Sequence, residues 1–174
     1  MKNILHFLLA LLIALALDAL TKIWAEQTLT LYQPLPVLGN WLRFTLGYNS
    51  GITFGLFANS GLIPLVITGA ILASVFIWVT LAIWRGDFSV TAVWLLGFVV
   101  GGAAANFIDR LPDLRVTDFL DAGIGATRWY TFNLADAFIV FGVLGLLLIT
   151  RLGKPPPEEP QKEAEGAPDA RDGA

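Results

Sequence analysis

The 174-residue chain has no cysteine and a single histidine. Without thiols there is no disulfide, no thiolate nucleophile and no thiolate metal site. The one imidazole, His6, lies inside the first apolar run, so an HExxH zinc site or a Ser-His triad would have to be built around it. If the chain is a hydrolase, carboxylates are its available machinery. Charge is scarce too. Only 14% of residues are Asp, Glu, Lys or Arg, against 56% hydrophobic and a mean hydropathy of +0.68, which excludes an ordinary soluble domain. The composition is that of an integral membrane protein. Before residue 153 eight bases and eight acids cancel, so the formal charge of −3 belongs to the tail, which has six acids and three bases. No basic surface is left over for nucleic acid.

What is there is apolar sequence in blocks. Four segments approach the ~20 residues that cross about 30 Å of hydrocarbon, at about 4–25, 62–84, 90–108 and 134–149. The first also fits a cleaved signal peptide, with Lys2, an apolar core and the triplet Ala14-Leu15-Ala16. Apolarity resumes beyond Asp18, however, and three further spans follow, so it reads as a span. Between spans one and two, alternation around Gly39-Asn40 suggests a hairpin, with Trp41, Phe44 and Tyr48 suited to the membrane interface. The expected fold is an all-α membrane protein: four transmembrane helices over residues 1–152 with a small β-hairpin cradle in the first extracytoplasmic loop. The Pro-, Glu- and Ala-rich tail, 153–174, is expected to be disordered. Four spans put both termini on one side. Lys2, Arg85 and Arg151 hug span ends there, which assigns that side to the cytoplasm.

Alternating spans bring the unusual polar residues to one face. These are Asp18 and Lys22, Asn49 in NSGITFG, Asn106, Asp109 and Arg110 in NFIDR, Asp118 in VTDF, and Asn133 with Asp136 in FNLAD. Each has a structural reading. Asp18 and Lys22, an i, i+4 pair, can neutralise each other. Asn106 and Asp109 can terminate a helix, Asp109 can pair with Arg110, and Arg110 can snorkel to headgroups. Asp136 can stabilise a helix N-terminus, residues 49–55 can be a turn, and Gly101 and Gly102 fit close helix packing. As a set, three Asn and four Asp on one face are hard to ascribe to packing. Two functions compete with carboxylate hydrolysis: a proton-coupled transporter, which wants carboxylates near the midplane, and a Ser-Lys hydrolase built from Ser50 and Lys22.

The motifs DALTK, NSGITFG, GGAAANFIDR, VTDF and FNLAD, in this order within residues 14–142, resemble those of the bacterial lipoprotein signal peptidases, also called signal peptidase II. Two positions depart from the family pattern: Ala105 stands where Gly is usual, and Thr53 where a small apolar residue is usual. The resemblance implies a multi-pass aspartic endopeptidase of the bacterial inner membrane, working near the extracytoplasmic face without cofactor or metal. Its catalytic pair would be Asp118 and Asp136. Asn49, Asn106, Arg110 and Asn133 would hold substrate, supported by Asp18, Lys22, Asp109 and Gly51. The implied partners are membrane lipid and a prolipoprotein carrying diacylglyceryl on a Cys, cleaved just before that Cys. A monomer is expected.

Overall fold

The computed structural model describes residues 2–51 and 61–152. The 52–55 part of NSGITFG, Thr53 with it, and the tail from 153 lie outside the described residues. Four helices dominate: α1 (Lys2–Thr28), α2 (Ile63–Arg85), α3 (Val90–Asp113) and α4 (Leu134–Leu152). Each is long and apolar enough to cross a membrane, where a helix satisfies every backbone group within its own segment. Helix α2 starts with Pro64 in its first turn, where a missing N–H is tolerated. It ends at Gly86, whose φ of 84° lets its N–H reach the carbonyl of Ile83 and that of Asp87 reach Ala82, both at 3.1 Å. Glycine adopts that left-handed conformation without a Cβ clash. Ser89 then caps α3 by accepting from the Ala92 N–H at 3.3 Å. The result is a tight antiparallel α2–α3 pair.

Helix α3 is the central one, packed against α1, α4 and, less extensively, α2. A Cβ on Gly101 would lie 2.7 Å from the carbonyl oxygen of Leu11, and one on Gly102 would lie 2.5 Å from that of Ala135. Backbones therefore meet directly, as the sequence led us to expect for these glycines. Lipid tails are as apolar as leucine, so close fit rather than hydrophobic burial holds such contacts. Phe7, Val79, Ile83, Val93, Leu96 and Val100 fill the space between α1, α2 and α3.

The expected hairpin is present as β1 (Leu35–Leu38) and β2 (Leu42–Asn49), with Gly39 at a φ of 54° in its turn. The sheet is larger than expected, because β3 (Val116–Ile124) and β4 (Thr127–Arg128) extend it to four antiparallel strands in sequence order. VTDF thus opens a strand, with Thr117 opposite Tyr48 and Asp118 opposite Gly47. This pairing ties the first and third loops together at one end of the helices. Leu46 and Phe119 pack there on Ala25 and Leu29, docking the sheet on the end of α1.

Helix α3 also runs five residues past its expected end, to Asp113. Asn106, Asp109 and Arg110 therefore project from its last turns instead of terminating it. Leu114, at a φ of 63°, donates its N–H to the Arg110 carbonyl at 2.9 Å and turns the chain into β3. A non-glycine residue there costs about 1 kcal/mol, so the turn is held in place by the pairing of β3 with β2.

Candidate active site

The start of α4 organises the polar end. Asn133 Oδ1 accepts from the Asp136 N–H at 3.0 Å, and Asp136 Oδ2 accepts from the Asn133 N–H at 3.3 Å, a reciprocal capping arrangement. Asp18 Oδ1, from α1, accepts from the Ala135 N–H at 2.8 Å. Free N–H groups of a helix N-terminus are thus satisfied by carboxylates, which its dipole also favours. The helix-end reading of Asp136 holds, yet only one of its oxygens is used for it. The other, Oδ1, accepts from Asn106 Nδ2 at 2.8 Å.

Asn133 is the hub. Fully buried, it directs Nδ2 to Asp118 Oδ1 at 2.8 Å, to Asn106 Oδ1 at 3.0 Å and to the Thr117 carbonyl at 3.3 Å. One asparagine therefore touches both carboxylates. Asn106 Oδ1 also accepts from Lys22 Nζ at 3.0 Å. With two donors on its oxygen, the Asn106 amide has one orientation available, and its nitrogen faces Asp136.

Lys22 bridges Asp18 at 2.7 Å and Asp109 at 3.0 Å, so the i, i+4 pair exists and extends to α3. Asp109 Oδ2 also accepts from the Thr117 N–H at 2.8 Å, fixing the start of β3. It does not pair with Arg110. Neighbours in a helix face different ways, and the Arg110 guanidinium turns inward, donating from Nη1 to the Asn106 carbonyl at 3.0 Å and from Nη2 to the Gly51 carbonyl at 2.5 Å. The side chain is buried, which overturns the snorkelling alternative. Its buried Nε has no hydrogen-bond partner among the described residues. Gly51 in turn donates its N–H to Asn49 Oδ1 at 2.9 Å, and the Asn49 side chain hydrogen-bonds Asp118. Every site residue expected from the sequence thus belongs to one connected network.

Burial, and after it the charge of Asp136, push the Asp118 carboxyl up to about 7, against the opposing hydrogen bonds of Asn133 and Asn49. Asp121, three residues along β3, behaves oppositely. Burial raises it, but hydrogen bonds from Arg43, Arg128 and Thr45 outweigh this and hold it below the usual carboxylate range. Arg43 donates to Oδ2 from Nε at 2.8 Å and from Nη2 at 2.6 Å, and Arg128 Nε donates to Oδ1 at 2.8 Å. Sequence reasoning missed this clamp across β2, β3 and β4, since nothing local links residues 43, 121 and 128. It also missed the backbone groups of Thr117 and Ala135.

The fold and site define a membrane-spanning four-helix protein with one buried and one half-buried carboxylate bridged by an asparagine at its sheet end. Residues 10–152 match the family model described as Signal peptidase (SPase) II. The lipoprotein signal peptidase of Methylorubrum extorquens is 38% identical over 91% of this chain and 92% of its own length. That of Coxiella burnetii is also 38% identical, over 82% and 90%. Two solved bacterial membrane enzymes, 23% and 21% identical, share the fold with TM-scores of 0.71 and 0.72, covering 85% of this chain and 91% and 94% of theirs. The chain belongs to the signal peptidase II family, and it is a multi-pass membrane peptidase.

Proposed function

We propose that the protein is an aspartic endopeptidase in which Asp118 and Asp136 form the catalytic pair. Its substrates are prolipoproteins carrying diacylglyceryl on a cysteine, cut just before that cysteine at the extracytoplasmic face of the bacterial inner membrane, with both termini of the enzyme in the cytoplasm. Relatives named lipoprotein signal peptidases support the substrate class. The observation that carries the chemistry is the Asn133 bridge between the two carboxylates, its Nδ2 on Asp118 and its backbone N–H on Asp136. Such a pair resists double ionisation and retains one proton, which belongs to the pair rather than to either residue.

The ionised carboxylate takes a proton from water as the oxygen adds to the scissile carbonyl carbon. The protonated partner gives its proton to the carbonyl oxygen. Collapse of the resulting diol breaks the C–N bond, and the pair returns a proton to the leaving nitrogen. Asn49, Asn106 and Arg110 supply donors to the peptide, whereas the fully buried Asn133, whose Nδ2 is committed to Asp118, Asn106 and Thr117, serves it by fixing the carboxylates; the Arg110 Nε still lacks a partner among the described residues. The position of both carboxylates beyond or at helix ends, away from the midplane, favours hydrolysis over proton-coupled transport.

The apolar spans supply the surface for the acyl chains. Because those chains leave lipid rather than water, their recognition works by positioning the scissile bond. Purified enzyme in detergent should therefore cleave a lipidated precursor at least ~10²-fold faster in kcat/KM than its non-lipidated match, about 2.7 kcal/mol. Equal rates would indicate a general intramembrane protease, and cleavage of neither would overturn the reading.

A further inference from the structure

Glu26 stands in the last turn of α1, where the backbone carbonyls already carry partial negative charge. No basic residue shares that turn, and among the described residues Glu26 has no ion pair. A carboxylate is locally unfavourable there. Its partner is the Thr117 hydroxyl, which donates to Glu26 Oε1 at 2.7 Å. Thr117 immediately precedes Asp118. Its N–H is held by Asp109 and its carbonyl by Asn133, so the Glu26 bond completes the fixation of a buried residue. Successive side chains on a strand point to opposite faces. Thr117 reaches α1 while Asp118 reaches Asn133, and anchoring the first sets the direction of the second.

We propose that Glu26 is a positioning residue that acts through the Thr117 hydroxyl to set where Asp118 stands against Asp136. The inference rests on the catalytic reading of Asp118. Glu26 itself is exposed, so its hydrogen bond adds little to stability, and its effect falls on turnover.

The test is steady-state cleavage of a lipidated precursor by full-length Glu26→Ala, Thr117→Val and the double variant, with Asp118→Asn alongside. Each single variant should lower kcat about tenfold while leaving KM within about twofold, because a displaced catalytic group loses rate rather than affinity. The double variant should be no slower than either single one, since both remove one interaction. Glu26→Gln keeps an acceptor and Thr117→Ser keeps the donor, so each should restore kcat to within about threefold of wild type. Multiplying losses, a rise in KM alone, or failure of both conservative variants to rescue would overturn the proposal. If Asp118→Asn is inactive while Glu26→Ala and Thr117→Val turn over like wild type, this inference alone falls. If Asp118→Asn is active, the catalytic pair falls with it.

Discussion

The two halves of α3 hold their neighbours by opposite means. In the first half Gly97 and Gly101 lie on α1 so closely that a Cβ would reach 2.6 Å from Ala10 Cβ and 2.7 Å from the Leu11 carbonyl oxygen. In the last turns Asn106, Asp109 and Arg110 hold Asp136, Lys22, Thr117 and Gly51 through hydrogen bonds and charge. Shape complementarity makes no directional demand on side-chain chemistry, whereas a buried polar network fixes each donor against one acceptor. The first half therefore sets how close the helices come. The second converts that closeness into a defined geometry of two carboxylates. Substitutions in the two halves should fail differently: rate is lost at the polar end, stability at the apolar one.

The largest effect belongs to the carboxylates. Asp118→Asn and Asp136→Asn each remove a proton carrier but almost no volume, so each should lower kcat by more than ~10²-fold while the protein still folds and purifies. Thermal unfolding in detergent, measured beside single-turnover cleavage, checks both halves of this statement. More than about a hundredth of wild-type activity in either variant would remove the pair from catalysis. Unfolding of both would make the polar end a scaffold, and the contrast within α3 would collapse.

An effect of intermediate size is expected from pH. Asp118 stands near 7 because burial and the Asp136 charge penalise its ionised form. The pair therefore keeps its shared proton below about 7 and loses it above, so kcat/KM should fall about tenfold per pH unit on the alkaline side. Stability moves the same way. A folded-state value above the unfolded one means that ionisation favours the unfolded chain, so stability declines as pH rises from the ordinary carboxylate range through 7. A kcat/KM profile flat between pH 6 and 9 would show that the reaction does not depend on the proton this pair retains.

Much of this contrast was legible in the chain. Four apolar runs gave the spans, and alternation of spans alone gathered Asp18, Asn49, Asn106, Asp118 and Asp136 at one end. The choice of partner was not legible. The expected sheet stopped at the first-loop hairpin because the strand that VTDF opens has its partner, residues 42–49, far upstream, and no local pattern announces a pairing across two membrane spans. The end of α3 was placed too early because hydropathy falls at NFIDR, yet helix propensity does not track hydropathy and the helix continues to Asp113. Arg110 drew two wrong alternatives, headgroup and Asp109, since sequence spacing shows which face a residue occupies but not whether the interior offers it the Gly51 carbonyl. Glu26 left only a faint signal, an acid at the wrong end of a helix.

The smallest effect on catalysis, and the one that most sharpens the comparison, is expected at Gly101. It lies in the apolar half, five residues before Asn106, and the Cβ of Gly101→Ala would meet the Leu11 carbonyl oxygen at 2.7 Å and the Ala14 Cβ at 2.9 Å. The first of these atoms is backbone, so α1 and α3 must separate to admit the methyl. Overpacking of this kind costs about 1–3 kcal/mol, which for a chain of this size corresponds to a fall in Tm on the order of 3–10 °C. Separation near the middle of the helices is damped at the sheet end, where Lys22 joins α1 to α3 through Asp109 and Asn106, and Asp18 joins α1 to α4. At temperatures well below unfolding, kcat per folded molecule should therefore stay within about threefold of wild type. The measurement is Tm in detergent together with active-enzyme titration of the folded fraction. A large loss of kcat with unchanged Tm would mean that the apolar half tunes the carboxylates directly, and that the division of labour along α3 does not exist.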